Sequence, residues 1–369
     1  MPRVCITGGG GYFGQRVAYE FLEQGYEANL LDINFEAPPP GITLDQKKIK
    51  IFKGSILDRQ LLENALENSE TCVHIAAYGM GGKGSCNKKL VFATNVDGTN
   101  LVMDVCREKG VNRFINSSSV GVIFTDHELN MVDESYPYPE TFYSYYSESK
   151  AIAEKAVKKA NSENFSTVSL RYRGIFGPGE PRTTARAAET IHRGLYFARF
   201  EHNTPAMTQF SGLDNTATAC WLAEVALRDR KEIVGGKVYN IVDGGSPVPS
   251  WDFWIPLCQA LNRSRPWLVL PFWMVLYLAW ASEFLCENFG VTPLFLRLEV
   301  ALVGFTNTYS IEAARRDLGY DPQHNHDLKE TAAYYKQYYA ANPSWRIDWS
   351  FLFAVTFLFL VSFLFTFVW

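Results

Sequence analysis

The 369-residue chain has no basic block, since its 35 lysines and arginines lie scattered among 39 acidic residues for a net charge of −4. No segment could neutralise a run of phosphates, so nucleic acid is not an expected partner. It has no Cys-x-x-Cys pair either. The seven cysteines (Cys5, Cys72, Cys86, Cys106, Cys220, Cys258 and Cys286) fall mostly inside apolar runs, as small core residues do, and that usage fits a reducing compartment. The six histidines show no His-Glu-x-x-His spacing, and His324 and His326 sit in a polar turn without an obvious third ligand, so no metal site is expected. Met1-Pro2-Arg3 leads into Val4-Cys5-Ile6-Thr7 without an apolar signal segment, which sets an expectation of synthesis and folding in the cytosol.

One stretch lacks charge altogether. Residues 349–369 form 21 uncharged positions with seven phenylalanines and tryptophan at both ends. As a helix they would reach about 31 Å, enough to span a bilayer. A buried terminal helix would show a polar face, whereas Thr356, Ser362 and Thr366 are isolated and can bond their own backbone. A C-terminal transmembrane helix is therefore expected. A second apolar stretch, residues 267–282, would span only about 24 Å and carries Pro271 near its start, which suits an interfacial or substrate-capping helix or a core helix better than a span.

With 47% hydrophobic residues the chain can bury a full core. Apolar runs near residues 3–7, 27–32, 48–53, 72–76, 113–118 and 165–171 alternate with helical stretches near 12–25, 58–67, 88–110 and 143–162. This is the pattern of βαβ units in a doubly wound, Rossmann-like parallel sheet. The alternation stops after Pro178-Gly179-Glu180-Pro181. The expected organisation is a cofactor-binding domain over residues 1–175 with a strand returning near 237–242, a smaller substrate lobe over 176–344, and the tail.

Ligands of such sheets bind at the carboxyl ends of the strands, and two motifs fall there. Thr7-Gly8-Gly9-Gly10-Gly11-Tyr12-Phe13-Gly14 joins the first strand to the first helix, where backbone amides and the positive helix end suit a pyrophosphate. Its spacing reads as Gly8-x-x-Gly11-x-x-Gly14 or as Gly9-x-Gly11-x-x-Gly14. Asp32 ends the second strand 18 residues beyond Gly14, where a ribose 2'-hydroxyl needs an acceptor and a 2'-phosphate would be repelled. NAD is thus expected over NADP. The chain's sole Tyr-x-x-x-Lys match, Tyr146 to Lys150, opens a helix 27 residues after Ser119, which ends a strand. Four-residue spacing puts phenol and ammonium on one helix face, and a phenol titrating near pH ~10 needs such a cation to act as a base at neutral pH. Ser119 would hold the substrate oxygen.

Together these residues resemble the extended short-chain dehydrogenase/reductase family. The likeness extends through His74-Ile75-Ala76-Ala77, Asn95-Val96-Asp97-Gly98-Thr99, Phe114-Ile115-Asn116-Ser117-Ser118-Ser119, Gly174-Ile175-Phe176-Gly177-Pro178-Gly179 and Leu318-Gly319-Tyr320-Asp321-Pro322. Gly11-Tyr12-Phe13-Gly14, Ala77-Tyr78-Gly79-Met80 and Gly177-Pro178-Gly179-Glu180 look most like its 3-beta-hydroxysteroid dehydrogenase-like branch, closest to the 42E members. That resemblance implies catalytic roles for Ser119, Tyr146 and Lys150. It implies contact with NAD by Gly8, Gly11, Tyr12, Phe13, Gly14, Asp32, Ala76, Asn95 and Lys150. A steroid, sterol or similar lipid alcohol would be the substrate, at an endoplasmic reticulum membrane, with the catalytic domain facing the cytosol and membrane lipid as a partner. A homodimer is compatible with it.

Three positions depart from the family pattern. Gly54-Ser55 stands where Gly-Asp is usual, Asn116 replaces an apolar residue on a buried strand, and Arg171-Tyr172 replaces Arg-Pro. The last resembles nucleotide-sugar epimerases and keeps an epimerase or dehydratase open as an alternative. A catalytically idle NAD-binding membrane sensor or scaffold is the other.

Overall fold

The computed structural model describes residues 1–202, 204–323 and 325–342. Seven strands form the main sheet: β1 (Arg3–Thr7), β2 (Glu27–Asp32), β3 (Ile49–Lys53), β4 (Thr71–His74), β5 (Arg113–Ser119), β6 (Ser166–Tyr172) and β7 (Lys237–Ile241). Their order is β7-β6-β5-β4-β1-β2-β3, and every neighbouring pair is parallel. The chain starts in the middle, winds out to β3, and returns to β4 to wind the other way. The reversal between β1 and β4 opens the crevice in which doubly wound sheets take their ligands.

Burial explains the strand composition. β4 and β6 are buried along their whole length, whereas β3, at the sheet edge, has only exposed and half-buried residues. Parallel strands covered on both faces read as near-continuous apolar runs. In β1, Val4 and Ile6 enter the core under helices α1 (Tyr12–Glu23) and α5 (Leu213–Asp229), while Cys5 faces the opposite core. There it meets Cys72, Cys106 and the apolar faces of α2 (Arg59–Leu66) and α3 (Gly98–Glu108). Burial pushes the Cys72 thiol up, as expected for small core residues, and Cys5 is also raised, chiefly by its bond to Cys72.

Helix formation near residues 88–110 is not continuous. The stretch divides into Lys88–Phe92, a wider π-type turn over Ala93–Asp97, and α3. Widened turns of this kind recur at functional sites, and this one carries Asn95. Helix α4 (Tyr145–Ala160) is continuous and starts at Ser144, whose hydroxyl caps the Ser147 amide.

Beyond β6 a third apolar cluster forms around Phe176, Phe210, Phe253, Trp254 and Tyr335. A small four-stranded sheet pairs Leu129–Val132, Asn307–Tyr309, Met207–Thr208 and Val248–Pro249, so its strands come from both sides of residue 175. The apolar stretch at 267–282 splits into two elements. Leu268–Pro271 pairs with Ala198–Glu201, and helix α6 (Phe272–Phe289) follows with Pro271 at its cap, where a missing amide costs nothing. Among the described residues no helix is long and apolar enough to cross a membrane. The expected span at 349–369 lies outside the described residues.

Candidate active site

The glycine loop is shaped first by packing. A Cβ on Gly14 would stand 2.0 Å from the Gly8 carbonyl oxygen, and one on Gly8, at φ +75°, would stand 2.7 Å from the Ala76 nitrogen. Ala76 donates its amide to Thr7 at 3.0 Å, which fixes the ends of β1 and β4 together. Gly11 differs from these, because its Cβ would meet nothing closer than 3.7 Å. It starts α1 without a side-chain cap, so the helix end presents backbone amides there. Asp32 lies beside this opening and accepts from the Gly10 amide at 3.1 Å and the Asn34 amide at 3.3 Å. A close backbone loop around Gly8, Gly11 and Gly14, an uncapped helix end and the Asp32 carboxylate at a strand end are features that fit a dinucleotide.

Two residues expected at the cofactor spend their side chains elsewhere. The Tyr12 hydroxyl donates to the Pro178 carbonyl at 3.0 Å, and the Phe13 ring packs edge-on against Tyr172 with centroids 5.2 Å apart. They bind the start of α1 to the end of β6 and to the segment that follows it. Asn95 is likewise engaged. Its carboxamide accepts from the Tyr78 amide at 2.8 Å and donates to the Tyr78 carbonyl and the Ser149 hydroxyl, both at 2.9 Å. Ser149 in turn donates to the Tyr146 carbonyl at 2.8 Å, so Asn95 ties the loop after β4 to the first turn of α4.

Tyr146 and Lys150 occupy one face of that turn and are 8% and 3% exposed. Ser119 ends β5. Its hydroxyl accepts from the Gly121 amide at 3.1 Å, and a Cβ on Gly121 would be 3.0 Å from the Ser147 hydroxyl of α4. Lys150 donates to the Ser117 carbonyl at 2.5 Å. Burial lowers Lys150 to about 8, opposed by Glu154, and pushes Tyr146 up to about 12. The cation that opposes the Tyr146 shift is Arg182, not the expected Lys150. Desolvation outweighs both charges, and Tyr146 keeps its proton at neutral pH.

Sequence reasoning missed what stands behind this set. Glu154, one turn after Lys150, forms a fully buried pair with Arg171, receiving Nη2 at 2.6 Å and Nε at 3.1 Å. Glu154 also accepts from Ser118 at 2.5 Å and from Tyr138 at 2.8 Å. The Lys150 to Glu154 spacing on one helix face was the available signal. Arg182 had none, since the chain brings it back only after β6. The three departures also gain partners. Ser55 accepts from the Leu57 amide at 3.1 Å, Asn116 donates to its cross-strand neighbour Ser169 at 3.1 Å, and the Tyr172 hydroxyl lies 3.1 Å from Cys220 Sγ. His74, buried between Thr7 and Thr99 at 2.7 and 2.9 Å, is lowered to about 3 by desolvation and stays neutral, tying β4 to β1 and to α3.

Residues 5–272 match the 3-beta hydroxysteroid dehydrogenase/isomerase family. Among curated relatives, the 3beta-hydroxysteroid dehydrogenase/Delta(5)-Delta(4) isomerase 1 of Caenorhabditis elegans is 38% identical over 275 residues, covering 74% of this chain and 59% of that protein's length. Short-chain dehydrogenase/reductase family 42E member 1 of Danio rerio is 35% identical over 346 residues, covering 90% of this chain and 87% of the relative. Among solved structures, the Thermus thermophilus UDP-glucose 4-epimerase complex with NAD superposes with a TM-score of 0.65 at 20% identity, over 90% of this chain and 99% of that one, which shows a common fold.

Proposed function

Because the chain belongs to the 3-beta hydroxysteroid dehydrogenase/isomerase family of extended short-chain dehydrogenases/reductases, and so to the NAD-dependent oxidoreductases, we propose that it acts on the ring hydroxyl or ketone of a steroid, sterol or similar lipid alcohol. The observation that supports this reading is that Tyr146 and Lys150 are buried on the first turns of α4, with Lys150 bonded to the Ser117 carbonyl near the carboxyl end of β5, the strand that Ser119 ends. Bound NAD would supply the hydride acceptor or donor. Tyr146 holds the proton that a carbonyl oxygen takes up in reduction and that a hydroxyl returns in oxidation. Ser119 orients that oxygen. Lys150, one turn from the phenol, supplies the positive charge that oxidation requires once its ammonium leaves the Ser117 carbonyl. Asp32 favours NAD over NADP.

The Leu170-Arg171-Tyr172 run that suggested a nucleotide-sugar substrate has a structural account in the Glu154 pair and the Tyr172 contacts with Cys220 and Phe13. It therefore gives the epimerase alternative no support. Purified protein with NAD, assayed by absorbance of the reduced cofactor for 3-hydroxysterols and by chromatography of the products for nucleotide sugars, whose epimerisation or dehydration regenerates NAD, should respond to the sterols. Turnover of sugars alone would overturn the substrate class. Residues 349–369 would hold the protein in the endoplasmic reticulum membrane with α1 to α6 in the cytosol. An acceptor sequon appended after Trp369 should then be glycosylated while Asn164, exposed in an Asn-x-Ser sequon, stays bare; the reverse pattern would refute the topology.

A further inference from the structure

A cavity of about 500 Å³ lies outside the site just described, with a size typical of small-molecule sites. Its walls come from the loop Glu134 to Tyr138 before α4, from Lys158 in the last turn of α4, from the edge strand β7 with its neighbour β6, and from the helix Glu312–Leu318. None of the residues assigned above to catalysis or to the cofactor lines it.

One lining residue is Arg171, a charged side chain that is only 1% exposed. Its guanidinium is only partly used. Nε and Nη2 donate to Glu154 at 3.1 and 2.6 Å, while Nη1 is buried and has no hydrogen-bond partner among the described residues. In a planar guanidinium whose Nε and Nη2 side faces one carboxylate, Nη1 points away from it. A buried donor on a charged group is costly to leave unmatched, so this nitrogen calls for an acceptor other than Glu154.

Charge on the walls has the sign such an acceptor needs. Arg171 and Glu154 cancel, and beyond them three cations, Lys158, Lys237 and Arg316, stand against two carboxylates, Glu134 and Asp317. Asp317 is shared by Lys237 at 2.9 Å and Arg316 at 2.8 Å, and Glu134 accepts from the Asn240 amide at 2.8 Å. Most of the remaining wall is ring and aliphatic surface, led by Tyr136, Tyr138 and Tyr239. The Tyr138 ring centre lies 5.5 Å from the Arg171 guanidinium carbon, so ring and cation meet at one point of the wall. An inorganic anion would match only the charge, and a neutral ring only the tyrosines.

We propose that this cavity binds a small aromatic carboxylate, whose carboxylate accepts from Arg171 Nη1 and whose ring lies among Tyr136, Tyr138 and Tyr239. The site is separate from the one that takes NAD and the oxidised alcohol, and it does not depend on the substrate class. Its test uses the full-length chain saturated with NAD, so that the glycine loop offers no competing anion site. Titration calorimetry with benzoate, against a detergent blank, should give one site per chain with a dissociation constant below about 1 mM. Benzamide, which keeps the ring and loses the charge, and inorganic phosphate, which keeps charge and loses the ring, should each bind at least about tenfold more weakly. Arg171→Lys keeps a cation for Glu154 but removes Nη1, and should weaken benzoate about tenfold. Lys158 is exposed, so Lys158→Glu is expected to fold whether or not Arg171→Lys does, and it should weaken benzoate about fivefold. Lys109→Glu changes the net charge equally at an exposed residue that does not line the cavity, and should leave the affinity as it was. Absence of benzoate binding, or binding that benzamide or phosphate equals, would overturn the proposal. An affinity unchanged in Lys158→Glu or in folded Arg171→Lys, or lowered alike by Lys158→Glu and Lys109→Glu, would do the same.

Discussion

Helices α4 and α6 are of similar length, 16 and 18 residues, and approach one another where Glu287 lies beside Tyr145, yet different forces orient them. α4 opens on a serine cap and buries reactive groups, each tied to a named partner: Lys150 to Ser117, Ser149 to Asn95, Glu154 to Arg171. α6 opens after a proline without a side-chain cap, and its first three turns carry no charge. One helix has its position set by polar bonds inside low-dielectric protein, where any lost partner is costly. The other is held by apolar packing along one face and leaves the opposite face unmatched to water. A buried polar helix reports chemistry, and a half-buried apolar one reports surroundings.

The largest effect that would separate the two helices is on rate. Tyr146→Phe removes only the titrating oxygen, so turnover should fall by ~10²–10⁴ with NAD affinity unchanged, measured by single-turnover kinetics and cofactor titration. Near-normal turnover would deprive α4 of its chemical role. Next is Glu154→Gln, which leaves Arg171 charged and buried without its counterion. Stability should drop by ~3 kcal/mol in urea unfolding, and a loss under ~1 kcal/mol would show that the pair does not hold α4 in place.

A smaller effect follows from Lys150. Its folded pKa of about 8 lies below the unfolded value, so between those two values the unfolded chain binds more protons. The burial penalty is fully present below pH 8 and is relieved as pH rises, so stability should increase by ~1–2 kcal/mol between pH 8 and 9.5 relative to Lys150→Met. Parallel pH profiles for the two proteins would contradict the shift. Smallest is Trp280→Ser on α6, which should change stability in detergent-free buffer by no more than ~0.5 kcal/mol, because the side chain has little protein to lose. A loss of several kcal/mol would mean that Trp280 packs on protein.

Legibility in the sequence followed the same division. The strands of the main sheet were readable because parallel strands buried on both faces become unbroken apolar runs, and the expected strand near 237–242 is β7 at the sheet edge. The catalytic trio could be proposed because its geometry is local: Tyr146 and Lys150 share a helix face, and Ser119 ends a strand. Contacts made by chain return were not readable. Arg182 approaches Tyr146 from beyond β6, the Tyr12 hydroxyl is taken by Pro178, and Asn95 serves α4 through Ser149. The break of the helix near 88–110 at Ala93–Asp97 escaped because apolar periodicity does not register a π-type turn. The stretch at 267–282 was correctly too short to span, but its exposed side depends on which face the body covers.

On the proposed function, the α4 and β5 region moves a hydride between a lipid carbinol and NAD while Tyr146 handles the proton. A 3-hydroxysterol deuterated at C3, incubated with the protein and NAD, tests it by mass spectrometry of the recovered cofactor. One deuterium is expected on each reduced nicotinamide formed with the parent protein, and almost none with Tyr146→Phe. Reduced cofactor without deuterium, or deuterium transfer undiminished in Tyr146→Phe, would contradict it.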